Sequence, residues 1–238
     1  MNTLKLALGI VLLVAFPAWG QQIDRLQGLV QHEFRQLSED LGGALSYRPQ
    51  TPTTPLGVTG FDIGVAVTAA KIKNLDVLER ATSDRASSTV LVPTLRAHKG
   101  LPWGFDIGVA VAKVPDSNVT FIGGEWRYAI VEGNIAMPAV GLRGSFTRLG
   151  GVDQLRLNTY GLDVSISKGF AIATPYAGVG IVRVESDPRG VAGLTSESFT
   201  LNKGFAGVGL NFGLVNFNLE ADRTGPVNGY SAKVSLRF

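Results

Sequence analysis

The sequence predicts an all-β fold: a transmembrane antiparallel up-and-down β-barrel of about ten strands (10–12), preceded by one short amphipathic helix. Three observations lead to this prediction. Apolar and polar residues alternate from Leu56 to the end of the chain. The alternating stretches are long enough for tilted membrane strands, which need about 9 to 11 residues. The polar phase is mostly Gly, Ser, Thr, Asn and single charges, which suits a wet or narrow interior. Shorter and longer connections alternate along the chain, which is typical of a membrane barrel with short turns at one end and longer loops at the other. Alternation of apolar and polar residues alone would also fit a soluble sandwich or a lipocalin-like barrel.

The composition excludes several classes of protein. Of the 238 residues, 45% are apolar and 17% are charged, a balance too apolar for a disordered chain. The sequence contains no cysteine, so a disulfide scaffold, a thiolate zinc site and a cysteine nucleophile are excluded. Because the net charge is only +3 and the Lys and Arg residues form no dense run, we expect no nucleic-acid partner.

The N-terminus, residues 1–20, has the features of a secretory signal peptide. After a short basic start, an apolar run covers residues 6–19, and a membrane-spanning helix would need about 20 residues. The small residues Ala18 and Gly20 stand where signal-peptide cleavage requires them. The alternative is an uncleaved anchor helix. We therefore expect the mature chain to start near Gln21, outside the cytoplasm.

An amphipathic helix is predicted from Ile23 to Leu41, where apolar residues recur every three or four positions. Its apolar stripe consists of Leu26, Val30, Phe34 and Leu37. Burying four such side chains is worth about 6 to 12 kcal/mol, so the stripe must be covered. The lumen, the periplasmic rim and another protein are the candidate partners, and we predict that the helix plugs or gates the barrel. The stretch 42–47 is interpreted as a short strand or an unpaired extended segment, and a Pro-rich connector follows.

The strands are predicted from the two-residue period. The heptapeptide at 61–67 returns unchanged at 105–111, which indicates two strands that face the same two environments. The predicted strands are residues 56–71, 89–98, 103–113, 119–131, 136–148, 155–167, 171–185, 200–212, 215–223 and 229–238. The longest connections, Ile72–Ser88 and Ser186–Phe199, fall at one end of the barrel. An even strand number places the start and finish of the barrel at the other, short-turn end, which is periplasmic.

The last strand, from Tyr230 to Phe238, ends the chain with an aromatic residue after alternating hydrophobic residues. With the signal peptide and the amphipathic strands, it makes the chain from about Leu56 onward resemble the bacterial (Gram-negative) outer-membrane β-barrel class. The resemblance implies the cell outer membrane as the location, and a terminal assembly signal, here Tyr230 and Phe238, that is read by the barrel-assembly machinery. It also implies outer-membrane lipid and lipopolysaccharide as partners, and it leaves the subfamily and the oligomeric state open.

The chain thus divides into a signal peptide (1–20), an N-terminal helix with its connector (21–55) and the barrel (56–238). Charged residues on the inward phase of the strands are the candidates for lining the lumen. They are Asp62, Asp106, Glu125, Arg127, Arg143, Asp163, Glu220, Asp222, Lys233 and Arg237. Charges of both signs inside a small barrel usually pair across the lumen and lock it, and the alternative is that some of them line a solute path. Inner glycines would leave room for the helix: Gly60, Gly64, Gly207 and Gly209.

The chain offers little for catalysis, and we predict that it is not an enzyme. Its two histidines are His32 on the helix and His98 near the first short turn, where we expect a solvated side chain. The size resembles that of omptin-type barrel proteases. Those proteases use an Asp/His pair at the extracellular rim, and outer-membrane phospholipases use a Ser–His pair in the outer part of the barrel, where this chain offers no histidine. We also predict no metal and no cofactor. Neither histidine forms a metal-ligand cluster with acidic neighbours in the sequence, and the Gly-Val-Gly stretches at 178–180 and 207–209 lack the third glycine and the helix of a phosphate loop.

Two functions remain open at this point. The first is a porin-like passive channel or carrier for small or hydrophobic molecules, with the helix as plug or gate. It is similar in architecture to small barrels that pass hydrophobic compounds laterally, but architecture does not fix function. The second is a non-conducting structural or surface-interaction barrel whose extracellular loops bind a partner.

Overall fold

The computed structural model describes residues 22–82, 86–134 and 136–238, and the predicted signal peptide lies outside them. Antiparallel strands follow one another around a closed barrel, and the first strand pairs with the last. The strands are β1 (Phe61–Lys71), β2 (Thr89–Gly100), β3 (Phe105–Lys113), β4 (Thr120–Val131), β5 (Ala139–Gly150), β6 (Leu155–Ser167), β7 (Ala173–Pro188), β8 (Glu197–Phe212), β9 (Val215–Thr224) and β10 (Val227–Arg237). The ten-strand barrel with a preceding helix, predicted from the sequence, is confirmed.

Several strand ends differ from the prediction at the two rims. β1 begins at Phe61, because residues 56–60 fold into a turn instead of extending the strand. β7 and β8 are longer than predicted, so the loop between them is 189–196 and not Ser186–Phe199. The connection 132–138 between β4 and β5 is longer than the short turn that the alternation predicts.

The helix before the barrel begins and ends later than predicted. Helix α1 spans Gln31–Leu45, and the earlier part of the predicted stretch is a 3-10 turn, Leu26–Gly28, followed by an extended link. Val30 is the N-cap of α1 and is 53% exposed, so its assignment to the buried stripe is wrong. The stretch 42–47 is helical as far as Leu45, which corrects its interpretation as a strand or extended segment. None of the helices within the described residues is long and apolar enough to cross a membrane.

The N-terminal segment, residues 22–56, runs through the whole lumen, and we call it the plug. It starts at the end of the barrel that carries the connection 72–88, which we call the outer end. There Ile23 forms a β-bridge with Thr82. It finishes at the opposite, inner end, where the Leu56 N–H donates to Asp106 at 3.0 Å. The connection 72–88 contains a second helix, α2 (Leu75–Ala81), which the sequence did not predict and which packs against α1.

The two faces of the strands have different surroundings. On β1, Ile63 and Val65 point outward and are exposed, whereas Asp62 points inward and is buried. The second copy of the heptapeptide, on β3, has the same orientation. At the inner end the rings of Phe61 and Phe238 stack on the outside of the barrel, 5.6 Å apart. An apolar outer band with aromatic rings at its edge, around a polar interior, is the arrangement of a barrel that spans a membrane.

Candidate functional site: the filled lumen

The outer half of the lumen is an apolar core built around α1. Phe34 and Leu37 are almost completely buried there, in one cluster with residues of the barrel wall and of the outer loops. The plug contributes Ile23, Leu26, Leu29, Phe34, Leu37, Leu41, Ala44 and Leu45, and the wall and loops contribute, among others, Val77, Leu78, Leu157, Val182, Val184, Leu201 and Val227. The apolar stripe of the helix, apart from Val30, is therefore covered by the barrel itself.

Two glycines let α1 lie directly against the wall. A Cβ atom at Gly42 would lie 2.7 Å from Cγ2 of Val184, and one at Gly43 would lie 2.7 Å from the carbonyl oxygen of Thr224. Because real Cβ atoms do not approach other atoms so closely, any larger residue at either position would push the helix away from the barrel.

Farther in, wall glycines make room for the extended part of the plug and not for its helix. A Cβ atom at Gly209 would lie 2.9 Å from the ring of Pro52, and one at Gly123 would lie 2.9 Å from the ring of Tyr47. The other glycines predicted to face the helix lie against different groups: Gly60 against Leu56, Gly64 against Ser235, and Gly207 against Tyr176 and Leu219. Of the predicted glycines, Gly209 therefore lies against the extended part of the plug inside the lumen, and Gly60 lies against its last residue, Leu56, at the inner end.

The inner half of the lumen is lined by charges of both signs. The predicted inward charges that are buried are Asp62, Asp106, Glu125, Arg127, Arg143, Asp163, Glu220, Asp222 and Lys233, whereas Arg237 is half-buried. Residues on neighbouring strands form ion pairs: Arg127 with Asp106 (2.8 Å), Arg143 with Asp163 (2.7 Å), and Lys233 with Asp62 (2.7 Å). Buried pairs of this kind fix one arrangement of the wall, although their attraction does little more than offset the cost of desolvation.

Residues 46–56 of the plug are bonded to the wall along their length. Nε of Arg48 donates to Asp222 at 2.8 Å, and the Gln50 N–H donates to Glu220 at 2.7 Å. Further bonds run from Nζ of Lys203 to the Tyr47 carbonyl, from Nη1 of Arg127 to the Pro52 carbonyl, and from Oγ1 of Thr53 to Oγ of Ser165. Several of the predicted lumen charges therefore contact the plug directly.

Sequence reasoning placed His98 in a solvated turn, and this is wrong. β2 continues to Gly100, so His98 points into the barrel and is buried. Its Nε2 lies 2.6 Å from Oε1 of Glu125, and its Nδ1 lies 3.9 Å from Oδ1 of Asp62. The histidine is thus enclosed between two carboxylates of the inner half.

Three buried Arg and Lys side chains of the described residues were also missed: Arg48, Arg96 and Lys203. Arg96 and Lys203 lie on the inward phase of β2 and β8, so strict alternation could have found them. On β2 apolar residues occupy both the inward and the outward positions, so the alternation does not show which side chains face the lumen. Arg48 lies in the connector, where no period exists to indicate a facing side.

Two carboxylates of α1 tie the helix to the outer end. Asp40 accepts hydrogen bonds from the backbone N–H groups of Asn74 (2.8 Å) and Lys73 (3.4 Å), and burial raises the pKa of its carboxyl despite these donors. Glu33 forms an ion pair with Arg80 of α2 at 2.5 Å and accepts the backbone N–H of Val30 at 3.2 Å, and the bond from Val30 lowers the pKa of the Glu33 carboxyl. Both groups connect the helix to its surroundings at the place where the plug enters the barrel.

The space between the plug and the wall is small beside Arg48 and Arg96, whereas a cavity of about 290 Å³ at the inner end borders Thr54, Pro55 and Leu56 of the plug. The cavity that lies between them beside Arg48 and Arg96 has a volume of about 10 Å³, enough for about one water molecule. Within the described ranges, no group of three His, Cys, Asp or Glu side chains is arranged to hold a metal ion. Along the described part of the plug, apolar side chains fill the outer half of the lumen, and the extended segment crosses its inner half with bonds to the wall.

A closed barrel with an apolar exterior and a polar interior defines the class of protein. The chain is an outer-membrane β-barrel, and its location is the outer membrane.

No family model matches the sequence, and no curated protein matches it. Among solved structures, LpxR from Salmonella typhimurium is similar at 10% identity and a TM-score of 0.38, over 73% of this chain and 99% of that chain. The outer membrane protein OprG from Pseudomonas aeruginosa is similar at 9% identity and a TM-score of 0.35, over 80% and 99%. Neisserial surface protein A is similar at 12% identity and a TM-score of 0.33, over 75% and 97%. None of these similarities assigns a family or an activity to the chain.

Proposed function

We propose that this protein is a barrel that stays closed at rest and acts through its outer surface, the second of the two functions that the sequence left open. One observation carries the proposal. The plug fills the lumen from the outer end, where Ile23 pairs with Thr82, to the inner end, where Leu56 is bonded to Asp106.

The free energy needed to withdraw the plug supports a barrel that does not open spontaneously. The larger apolar side chains of the plug that the barrel buries are Ile23, Leu26, Leu29, Phe34, Leu37, Leu41 and Leu45. At about 1.5 to 3 kcal/mol for each, exposing them costs roughly 10 to 20 kcal/mol. Since each 1.4 kcal/mol is about a factor of ten, the unplugged state has a population on the order of 10⁻⁷ or lower.

The outer end joins several loops into one surface. The start of the plug is hydrogen-bonded to three different connections: the Asp24 N–H to the Ala81 carbonyl (3.2 Å), the Leu26 N–H to Oε1 of Gln154 (3.1 Å), and Nε2 of Gln31 to the Thr195 carbonyl (3.1 Å). Because one segment holds all three, the surface keeps a single shape, and preorganisation of this kind favours recognition of a partner.

We also propose which molecules surround the barrel and which residue signals its assembly. The outward apolar band contacts outer-membrane lipid, lipopolysaccharide surrounds the outer end, and Phe238 carries the assembly signal. We also propose that the protein has no catalytic role. In support, His98 is enclosed between Glu125 and Asp62, and His32 is an exposed residue of α1.

A gated channel or carrier is the second candidate, and a different observation favours it. The inner half of the plug is held by ion pairs and polar contacts, and well-packed apolar residues would stabilise a purely structural plug as well or better. The wall behind it is polar, with Asn216 and Asn218 on β9. If a stimulus displaced the plug, this wall would line a polar passage.

Single-channel recording in planar bilayers separates the two candidates. We expect the full-length protein to show no discrete openings, and a variant lacking residues 22–56, the whole plug, to insert and conduct. A Val30→Ala variant, changed at an exposed position of the plug, is the control and should be as silent as the full-length protein. Discrete openings of the full-length protein would contradict a barrel that is closed at rest, and an inserted but silent deletion variant would show that the plug does not close the lumen.

Surface labelling tests the orientation on which the proposal depends. An epitope inserted before Gln22 should bind antibody on intact cells, because the plug starts at the outer end. An epitope in the connection 132–138, at the inner end, should bind only after the cells are permeabilised. The reverse pattern would place the start of the plug in the periplasm.

A further inference from the structure

The arginine at position 96 is a buried cation whose hydrogen-bonding capacity is mostly unused. Arg96 lies on β2, faces the plug and is 3% exposed. Its Nη1 donates to Oε1 of Gln50 at 2.8 Å, whereas Nε and Nη2 have no hydrogen-bond partner among the residues that the structure describes. In the same described ranges, no carboxylate oxygen lies within the 4.0 Å of an ion pair with this side chain. A guanidinium buried in this state is costly unless something else satisfies it.

The small cavity between plug and wall lies directly beside this guanidinium. Its lining includes Tyr47 and Arg48 from the plug, and Thr68, Thr94 and Arg96 from the wall. The ring of Tyr47 lies 4.6 Å from the guanidinium carbon of Arg96, so the plug and the wall meet at this guanidinium. The cavity offers about 10 Å³ of space for the centre of a water-sized sphere, so it accommodates one monatomic particle.

The unused groups around the cavity determine what kind of particle suits it. Nε and Nη2 of Arg96 can only donate, and a second guanidinium, that of Arg48, lines the same space. Arg48 is already neutralised by Asp222 at 2.8 Å. Gln50 stands between Arg96 and Glu220: its side chain accepts from Arg96, and its N–H donates to Glu220. Glu220 also accepts the Tyr176 hydroxyl, and within the described part of the chain it forms no ion pair with Arg96. A particle that only accepts hydrogen bonds and brings one negative charge would satisfy the donors and the charge of Arg96 together.

We propose that this cavity binds one monatomic anion of the chloride class, held by Arg96 of the wall and Tyr47 of the plug. The ion would hold the plug and the wall together, because it contacts both. Its site excludes polyatomic anions such as sulfate and gluconate on the basis of volume. Halide ions should therefore stabilise the plugged barrel in proportion to their concentration, as a ligand does that binds only the folded state.

Diffraction from crystals of the full-length protein grown or soaked in bromide tests the site directly. We expect an anomalous peak at the bromine absorption edge within hydrogen-bonding distance of Nε or Nη2 of Arg96. A water-like density feature at this position with no anomalous peak, or no feature at all, would overturn the proposal and leave the cavity to water.

A stability measurement in detergent provides an independent readout. We expect the temperature of the heat-modifiable transition to rise with bromide or chloride relative to gluconate at equal ionic strength. The difference should vanish in Arg96→Lys, which keeps the charge but loses two of the donors. Arg143→Lys is the matched control, because it alters a buried arginine that is paired with Asp163 away from this cavity, and it should keep the halide effect. Equal transitions in halide and gluconate for the unmodified protein, or a halide effect that persists in Arg96→Lys, would refute the site whether or not the barrel conducts.

Discussion

Replacing Phe34 by alanine measures how firmly the plug is held. Phe34 is completely buried in the apolar core of the outer half of the lumen. Removing a phenylalanine side chain from such a core costs about 3 to 5 kcal/mol, which increases the population of the released plug roughly 100-fold to several thousand-fold. Val30 provides a matched control on the same helix, because it is 53% exposed. We expect Val30→Ala to change the stability by less than about 0.5 kcal/mol.

The assay is trypsin cleavage at Arg35 in protein reconstituted into vesicles with the outer end accessible. Arg35 lies in α1 and is bonded to Glu39 at 2.8 Å and to Glu197 at 3.0 Å, so cleavage requires the helix to leave its place. When opening and closing are faster than cleavage, the cleavage rate follows the released population. We expect a rate increase of about 10²-fold or more for Phe34→Ala, with an intact barrel by heat-modifiable migration. Equal cleavage rates for Phe34→Ala and Val30→Ala would refute the packing of α1 inside the barrel.

Three further predictions concern the two ends of the barrel. The pKa of the Glu33 carboxyl is lowered in the folded state, so its contribution to stability is present at neutral pH and is lost as the pH falls through that lowered pKa. Glu33→Gln should weaken the amide-exchange protection of Val30 at neutral pH and abolish the acid dependence of that protection. An unchanged acid dependence would contradict the bond between the Val30 N–H and the Glu33 carboxylate. Deleting Phe238, whose ring stacks on Phe61 at 5.6 Å, should lower the amount of assembled barrel more than the amount of synthesised protein, whereas normal assembly would show that the terminal signal is not used. Trp103, 86% exposed in the turn between β2 and β3, should be quenched by lipid brominated near the headgroup and not by lipid brominated deep in the chain, and quenching by neither would place the ring in water.

The barrel could be predicted from the sequence because each strand lies between two different surroundings. Ile63 and Asp62 alternate since one faces lipid and the other faces the lumen, and this contrast is repeated along each strand. Strand ends are harder to predict from the sequence, because the point at which a strand loses its hydrogen bonds at a rim depends on the neighbouring strand. The continuation of β2 to Gly100, for example, turns His98 from an expected solvated residue into a buried one.

The position of the plug could be predicted only as one of three alternatives. An apolar stripe indicates that something covers the helix, but the sequence does not indicate what covers it. The contacts that decide this join residues far apart in the chain, such as Arg48 with Asp222 and Gln50 with Glu220. Connector residues also lack the periodicity that assigns strand residues to a face. For this reason Arg48 was not identified as a lumen residue, although its wall partner Asp222 was.

The path of the plug through the lumen determines the order in which the molecule can be built. The segment enters at the outer end and continues into β1 at the inner end, while β1 pairs with β10 from Asp62 opposite Arg237 to Lys71 opposite Asn228. Once that seam is closed, residues 22–45 could reach their place only by being drawn through a passage already surrounded on all sides. Closing the ring around a segment that is already in position avoids this threading step. The last strand to be synthesised is the one that completes the enclosure, and this pairing of distant parts of the chain is a slow kind of step in folding.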